Sequence, residues 1–199
     1  MIYSIGSNGD FSFEMGMQNE IGAGVCEFHI FDIKDYTPKV PKELQRTHFH
    51  AWGLAAQDRN ATTEPEPGNR FEGLKDTIKL LGHENLDMID IFKIDCEGCE
   101  FETYKDWTGP SIPTLHQIQI EIHDAPPAVI NMFDVLEEEG YVIYHKKEAN
   151  IQFGGGNCVE YGLVKLDKEF VSLRKEVLKR KSEDVLRVEA AKTATVSSF

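Results

Sequence analysis

Tyr3-Ser4-Ile5-Gly6-Ser7-Asn8-Gly9-Asp10 is the stretch that decides the fold. A short apolar run opens directly into a Gly/Asn turn, as a buried first strand does when it feeds a helix. Helical spacing follows over 11–21, with Phe11, Met15 and Gln18-Asn19 at successive turns. Glycines in such a turn let the backbone approach a ligand closely, and amides at the helix start favour an anionic or carboxylate group. Outward from this unit, 25–31 alternates, is rich in β-formers and ends on Asp32. A polar, proline-containing segment covers 33–46. Residues 47–54 alternate with Phe49 and Trp52 and read as a third strand, and 58–69 read as a surface loop.

The second half repeats the alternation of element types. Residues 74–81 have the period of a short helix that stops at Gly82, and 88–94 form a nearly continuous apolar strand ending on Asp95. A helix over 101–107 is terminated by Gly109-Pro110. A strand over 116–123 alternates through Ile118, Ile120 and Ile122, and prolines open a helix over 126–139 that Gly140 closes. Residues 141–144 and 159–166 then read as two strands joined by a loop holding Gly154-Gly155-Gly156. Mostly alternating β and α elements imply a doubly wound, mostly parallel sheet with helices on both faces. No helix separates the last two strands, so they are expected to form an antiparallel hairpin at the C-terminal edge. Residues 1–166 are expected to be one domain. Residues 167–199 are expected to be a charged helix, with an apolar stripe of Phe170, Leu173, Val177 and Leu178 and a frayed end from 193.

Bulk properties narrow the function. The chain has 199 residues, enough for a single α/β core, and 34 acidic residues against 21 basic ones give a formal charge of −13. A protein that neutralises phosphates needs a positive face, so nucleic acid is not an expected partner. A small molecule, a carbohydrate or a protein fits the acidic balance better. No run approaches the roughly 18–20 apolar residues that span a bilayer, and no signal sequence follows Met1. The sequence carries no compartment address, so the cytoplasm is the default expectation, with a membrane anchor the alternative if a preceding segment is missing. Four cysteines are too few for a disulfide scaffold. Cys96-Glu97-Gly98-Cys99 has redox or zinc spacing but no completing ligand pair nearby, and reads as small buried side chains flanking a tight turn.

Ligands of open parallel sheets bind beyond the carboxyl ends of the strands. Three strand ends carry suggestive residues there: Gly6-Ser7-Asn8-Gly9; Asp32, an acid placed to accept ribose hydroxyls; and Asp95 with Glu97. Further along, Glu121, His123 and Asp124 close the next strand. His123 titrates near neutrality when unperturbed and suits a general base. An oxygen-rich metal set of Asp95, Glu97 and His123 is conceivable, but no metal is assigned. His48 and His50, two apart on one strand, read as packing or surface residues. The triple glycine precedes a strand and not a helix, so it lacks the dipole of a phosphate loop.

Phe92-Lys93-Ile94-Asp95-Cys96-Glu97-Gly98-Cys99-Glu100 resembles the "lleKiDvEGaE" signature of FkbM-type methyltransferases. The segment 3–14 is closer still to the methyltransferase-like group that includes methyltransferase-like protein 24, and Gln119-Ile120-Glu121-Ile122-His123 and Glu160-Tyr161-Gly162-Leu163-Val164 also resemble that group. The resemblance spans about residues 1 to 166. It implies the seven-stranded Rossmann-like methyltransferase fold, S-adenosylmethionine as cofactor, and methyl transfer to an oxygen or nitrogen of the acceptor. By the same resemblance Gly6, Ser7, Asn8 and Gly9 would cradle the methionine part, Asp32 the ribose, and Leu54 the adenine. Asp95 would lie by the amino group or reactive methyl, with Asp95, Glu97 and His123 as the catalytic candidates. Ser4 departs from the wider pattern, which places an acid two residues before the first glycine. The competing readings are a methyltransferase-like domain without turnover, and a nicotinamide-dependent oxidoreductase, which the missing G-x-G-x-x-G spacing disfavours.

Overall fold

The computed structural model describes residues 1–56, 68, 70–123, 127–148 and 158–196. The loop expected over 58–69 falls almost wholly outside them, as do the triple glycine and Asp124. Two units divide the chain, 1–165 and 166–199.

The first unit is built on a seven-stranded sheet. Its strands are β1 (Ile2–Ile5), β2 (Phe28–Phe31), β3 (Thr47–His50), β6 (Met88–Ile94), β7 (Thr114–His123), β8 (Tyr141–Glu148) and β9 (Cys158–Lys165), in the spatial order β3-β2-β1-β6-β7-β9-β8. The pairs from β3 through β7 are parallel, whereas β9 runs antiparallel to both β7 and β8. The expected doubly wound sheet with an antiparallel terminal hairpin is therefore present. The last strand inserts between β7 and β8 and leaves β8 at the edge. A second sheet of two short strands, β4 (Gly53–Leu54) and β5 (Phe71–Glu72), stands apart. The alternation over 47–54 is thus two strands and not one. The chain turns between them, with the Trp52 amide donating to the His50 carbonyl at 3.0 Å.

Strands β1 and β2 are buried along their whole length because both faces of the sheet are covered there. Tyr3, Ile5, Phe31, Ile89, Phe92 and Ile118 belong to the larger core, which receives α2 (Leu74–Leu80) through Leu74 and Ile78, and α4 (Ala128–Glu138) through Met132 and Leu136. Ile2, Phe28, Ile30, Phe11 and Leu44 form the smaller core beside α1 (Ser12–Ile21). Burying about 25 cal/mol per Å² of such apolar surface holds the layers together. Strand β2 is shorter than the alternation suggested, because residues 22–26 turn and Val25 is exposed.

Helix α3 (Cys99–Thr103), followed by a 3₁₀ turn (Tyr104–Asp106), begins two residues before the expected helix. Its early start has a local cause. The Glu100 carboxylate, 1% exposed, accepts the Cys96 amide at 2.7 Å and the Gly98 amide at 2.8 Å, which organises the turn after β6. Here Cys96 and Cys99 are disulfide-bonded, with 5.5 Å between their Cα atoms. The tight turn that was expected to hold two separate side chains instead brings the sulfurs within bonding range.

In the second unit, helix α5 runs from Lys168 to Val196. Phe170, Leu173, Val177 and Leu178 are exposed on it.

Candidate functional site

The carboxyl ends of β1, β2 and β6 open into a cavity of about 430 Å³. That volume lies in the range of small-molecule and cofactor pockets. Gly6 and Asn8 after β1, Asp32 after β2, Leu54 on β4, and Asp95 and Glu97 after β6 all line it. So do Phe31, Ile33 and Phe71, which give part of the wall an apolar, flat-sided character. Six of the residues singled out in the sequence therefore meet around one space.

Local geometry explains why this sequence makes the cavity. Gly6 adopts φ +78°, and a Cβ there would lie 1.7 Å from the Asp95 carbonyl oxygen. Only glycine lets β1 and β6 end so close together. The Asp95 amide donates to Ile5 and the Gly6 amide to Phe31, so the three strand ends are cross-linked. Asp32 fastens the turn itself: its carboxylate accepts the Asn8 amide at 2.7 Å, the Ser7 hydroxyl at 3.4 Å and the Lys34 amide at 3.0 Å. Two carboxylate oxygens offer about four lone-pair sites, so Asp32 retains capacity for a further donor. Ser7 is buried under the turn and also accepts the Gly9 amide at 3.3 Å. Gly9 packs against the Tyr36 ring, and neither Ser7 nor Gly9 is part of the cavity lining.

A cluster of ionisable groups lies beside the cavity. His123 Nε2 is 3.5 Å from Asp95 Oδ1, 3.7 Å from Glu97 Oε2 and 3.7 Å from Glu121 Oε1, without hydrogen-bond geometry to any of them. On its other side, Nδ1 lies 2.8 Å from Cys158 Sγ. Burial, reinforced by the nearby Asp95 charge, raises the Glu121 pKa above the ordinary carboxylate value. Asp95, Glu97 and His123 are thus brought together as a set. These groups, or Glu121, His123 and Cys158, lie close enough to hold a metal ion.

Sequence reasoning missed Tyr36, Glu14 and Glu100. Tyr36 lines the cavity and donates its hydroxyl to Asn8 Oδ1 at 3.1 Å. Glu14, on the first turn of α1, is 1% exposed beside Ser4, which is itself fully buried. Burial raises its pKa, while Ser4 and the nearby Lys93 oppose the shift. Lys93 in turn donates to the Gly6 carbonyl at 3.3 Å. Glu14 is not among the residues that line the cavity. A glutamate in a helix ordinarily marks a solvated face, so its burial was not signalled by the sequence.

Sheet order, the glycine turn and acids at consecutive strand ends define a doubly wound α/β domain of the kind that holds a cofactor above its strand termini. The family model described as a methyltransferase domain matches residues 1–165. The chain belongs to that methyltransferase-domain family. No curated protein matches it. Among solved structures it is similar to a provisionally assigned RNA methyltransferase from Pyrococcus horikoshii, at 10% identity over 83% of this chain and 74% of that one, with a TM-score of 0.46. It is also similar to an rRNA methylase from Streptococcus thermophilus, at 10% identity over 83% of this chain and 86% of that one, with a TM-score of 0.48. Among the described residues no helix is long and apolar enough to cross a membrane.

Proposed function

We propose that this methyltransferase uses S-adenosylmethionine and methylates an oxygen or nitrogen of a small-molecule, carbohydrate or protein acceptor. The observation that carries the reading is the cavity in which Gly6, Asn8, Asp32, Leu54 and Asp95 meet at the carboxyl edge of the parallel strands. Its chemistry suits the cofactor part by part. Asp32 offers acceptor capacity to ribose hydroxyls, and Ile33, Leu54 and Phe71 offer apolar surface to the adenine. Asp95 and the exposed face of the Gly6 turn serve the zwitterionic methionine end. When bound, the cofactor supplies an electrophilic methyl group on a sulfonium.

The chain's own task is then to position the acceptor and remove its proton. His123 fits that role. In the tautomer with Nδ1–H directed at Cys158 Sγ, the Nε2 lone pair faces the acidic cluster. Asp95, Glu97 and Glu121 would stabilise the positive ring formed when it takes the acceptor's proton. A charge of −13 makes a polyanionic acceptor unfavourable, which is why nucleic acid is left out of the proposal.

Hydrogen-exchange mass spectrometry with S-adenosylhomocysteine tests the placement. Protection is expected at 4–9, 31–36, 53–54 and 95–99. Binding without protection there, or protection confined to other segments, would remove the cavity from the account.

A further inference from the structure

Along β2 and its neighbour β3, four histidines gather on one face of the sheet. His29 lies on β2, His48 and His50 on β3, and His83 follows α2. The His29 ring stacks on His48 with centroids 4.8 Å apart and on His50 at 5.2 Å, and His83 meets it edge-on at 4.7 Å. None of the four lines the cofactor cavity. Packing alone would account for stacked rings, but it does not account for His29 Nε2. The His29 side chain is only 6% exposed, and its Nε2 has no hydrogen-bond partner among the described residues. An unsatisfied buried polar atom costs roughly 1–3 kcal/mol.

The surroundings of that nitrogen form a ligand set. Glu27 Oε1 is 3.5 Å from His29 Nε2 and 3.2 Å from His48 Nε2. The three ligand atoms lie within 4.8 Å of one another. A tetrahedral zinc ion with bonds of about 2.0–2.1 Å separates its ligand atoms by roughly 3.3–3.4 Å, so two of the three edges already match. The next layer is also in place. His29 Nδ1 is 3.0 Å from His50 Nε2. With Nδ1–H of His29 donated to His50, the lone pair is on Nε2, which is how a metal-binding histidine is oriented by its second partner. Arg46 pairs with Glu27 Oε2 at 2.6 Å, which leaves Oε1 turned toward the two imidazoles. His48, 51% exposed, opens the set to solvent and to a water as fourth ligand.

We propose that Glu27, His29 and His48 bind a divalent transition-metal ion of the zinc class, at a structural site separate from the cofactor cavity. Two nitrogens and one carboxylate oxygen are a donor set for zinc and not for magnesium or calcium, which select all-oxygen sites. Tying β2 to β3, the ion would stabilise the sheet edge that carries Asp32.

Calorimetric titration with Zn²⁺ alone tests this in a His123→Ala chain, which lacks the histidine shared by both acidic clusters at the cavity. One zinc per chain is expected, together with a rise in melting temperature on zinc addition. Adding His48→Ala, at a half-exposed position that the core does not need, should weaken zinc by more than about tenfold and abolish the thermal shift, and Glu27→Gln should do the same. A His123→Ala chain that binds no zinc would overturn the assignment. So would an affinity unchanged by both further substitutions, because the histidines would then be packing alone.

Discussion

Gly6→Ala isolates the contact on which the cavity depends. Two costs arise at this position. The first is conformational: φ +78° lies in the left-handed region, where a side chain costs roughly 1–2 kcal/mol. The second is steric. An alanine Cβ would lie 1.7 Å from the Asp95 carbonyl oxygen, and contacts under 3.0 Å are essentially never observed, so the two must part by at least 1.3 Å (3.0 minus 1.7). That displacement pulls the end of β1 from β6, where the Asp95 amide bonds Ile5 at 3.1 Å. Loss of that bond and of local packing adds about 2–3 kcal/mol. The sum is about 3–5 kcal/mol, or a fall in Tm of roughly 6–20 °C for a domain of this size. Gly98→Ala is the matched control. Gly98 has φ +115°, yet nothing lies within 4 Å of its Cβ position, so only the conformational cost of about 1–2 kcal/mol applies. Urea unfolding of both variants measures the difference. Equal losses in the two would refute the argument that close approach, and not backbone handedness, requires glycine at position 6.

Three further outcomes follow from the site. Glu100→Ala leaves the Cys96 and Gly98 amides without their carboxylate, and should cost about 2–4 kcal/mol by chemical denaturation; a loss under about 1 kcal/mol would mean that the turn holds itself. Glu14 has a folded pKa raised above 4.5, so the favourable contribution of its protonated form is complete below pH 4.5 and is lost as pH rises through the folded value. Glu14→Gln should therefore match the wild type in acid and become the more stable chain above that window, and a stability gap that narrows with rising pH would reverse the sign. His123→Gln should abolish methyl transfer once an acceptor is in hand while leaving S-adenosylhomocysteine affinity within about threefold; retained turnover would remove His123 as the base.

Much of the fold was legible because parallel strands buried on both faces write themselves as short apolar runs ending in glycines and acids. β1, β6 and β7 carry that signature, and Gly6, Asp32 and Asp95 stand at their ends or at that of β2. What was not legible depended on contacts distant in sequence. Apolar alternation continues through Trp52 to Leu54, since Leu54 is buried in the larger core, so no periodicity marks where the chain leaves one sheet for another. Nor could the hairpin pattern of β8 and β9 announce that β9 inserts between β7 and β8. Gly162 permits that arrangement by leaving room for the Tyr144 ring, which a Cβ would meet at 2.8 Å. At the site, backbone and side-chain spacing identified the residues that follow strands, whereas Glu14 and Glu100 arrive from helices and were given no role. His29 and His83 likewise gained meaning only when β3 and the end of α2 were laid against β2.

The most direct measurement of the central claim is calorimetric titration of the chain with S-adenosylmethionine, S-adenosylhomocysteine and NAD, in the wild type and in Asp32→Ala. The account predicts that the first two bind and NAD does not. Asp32→Ala, which removes both the proposed ribose partner and the anchor of the Gly6 turn, should weaken them by more than about tenfold, or roughly 1.4 kcal/mol. Binding of NAD alone, or S-adenosylmethionine affinity indifferent to Asp32, would contradict it.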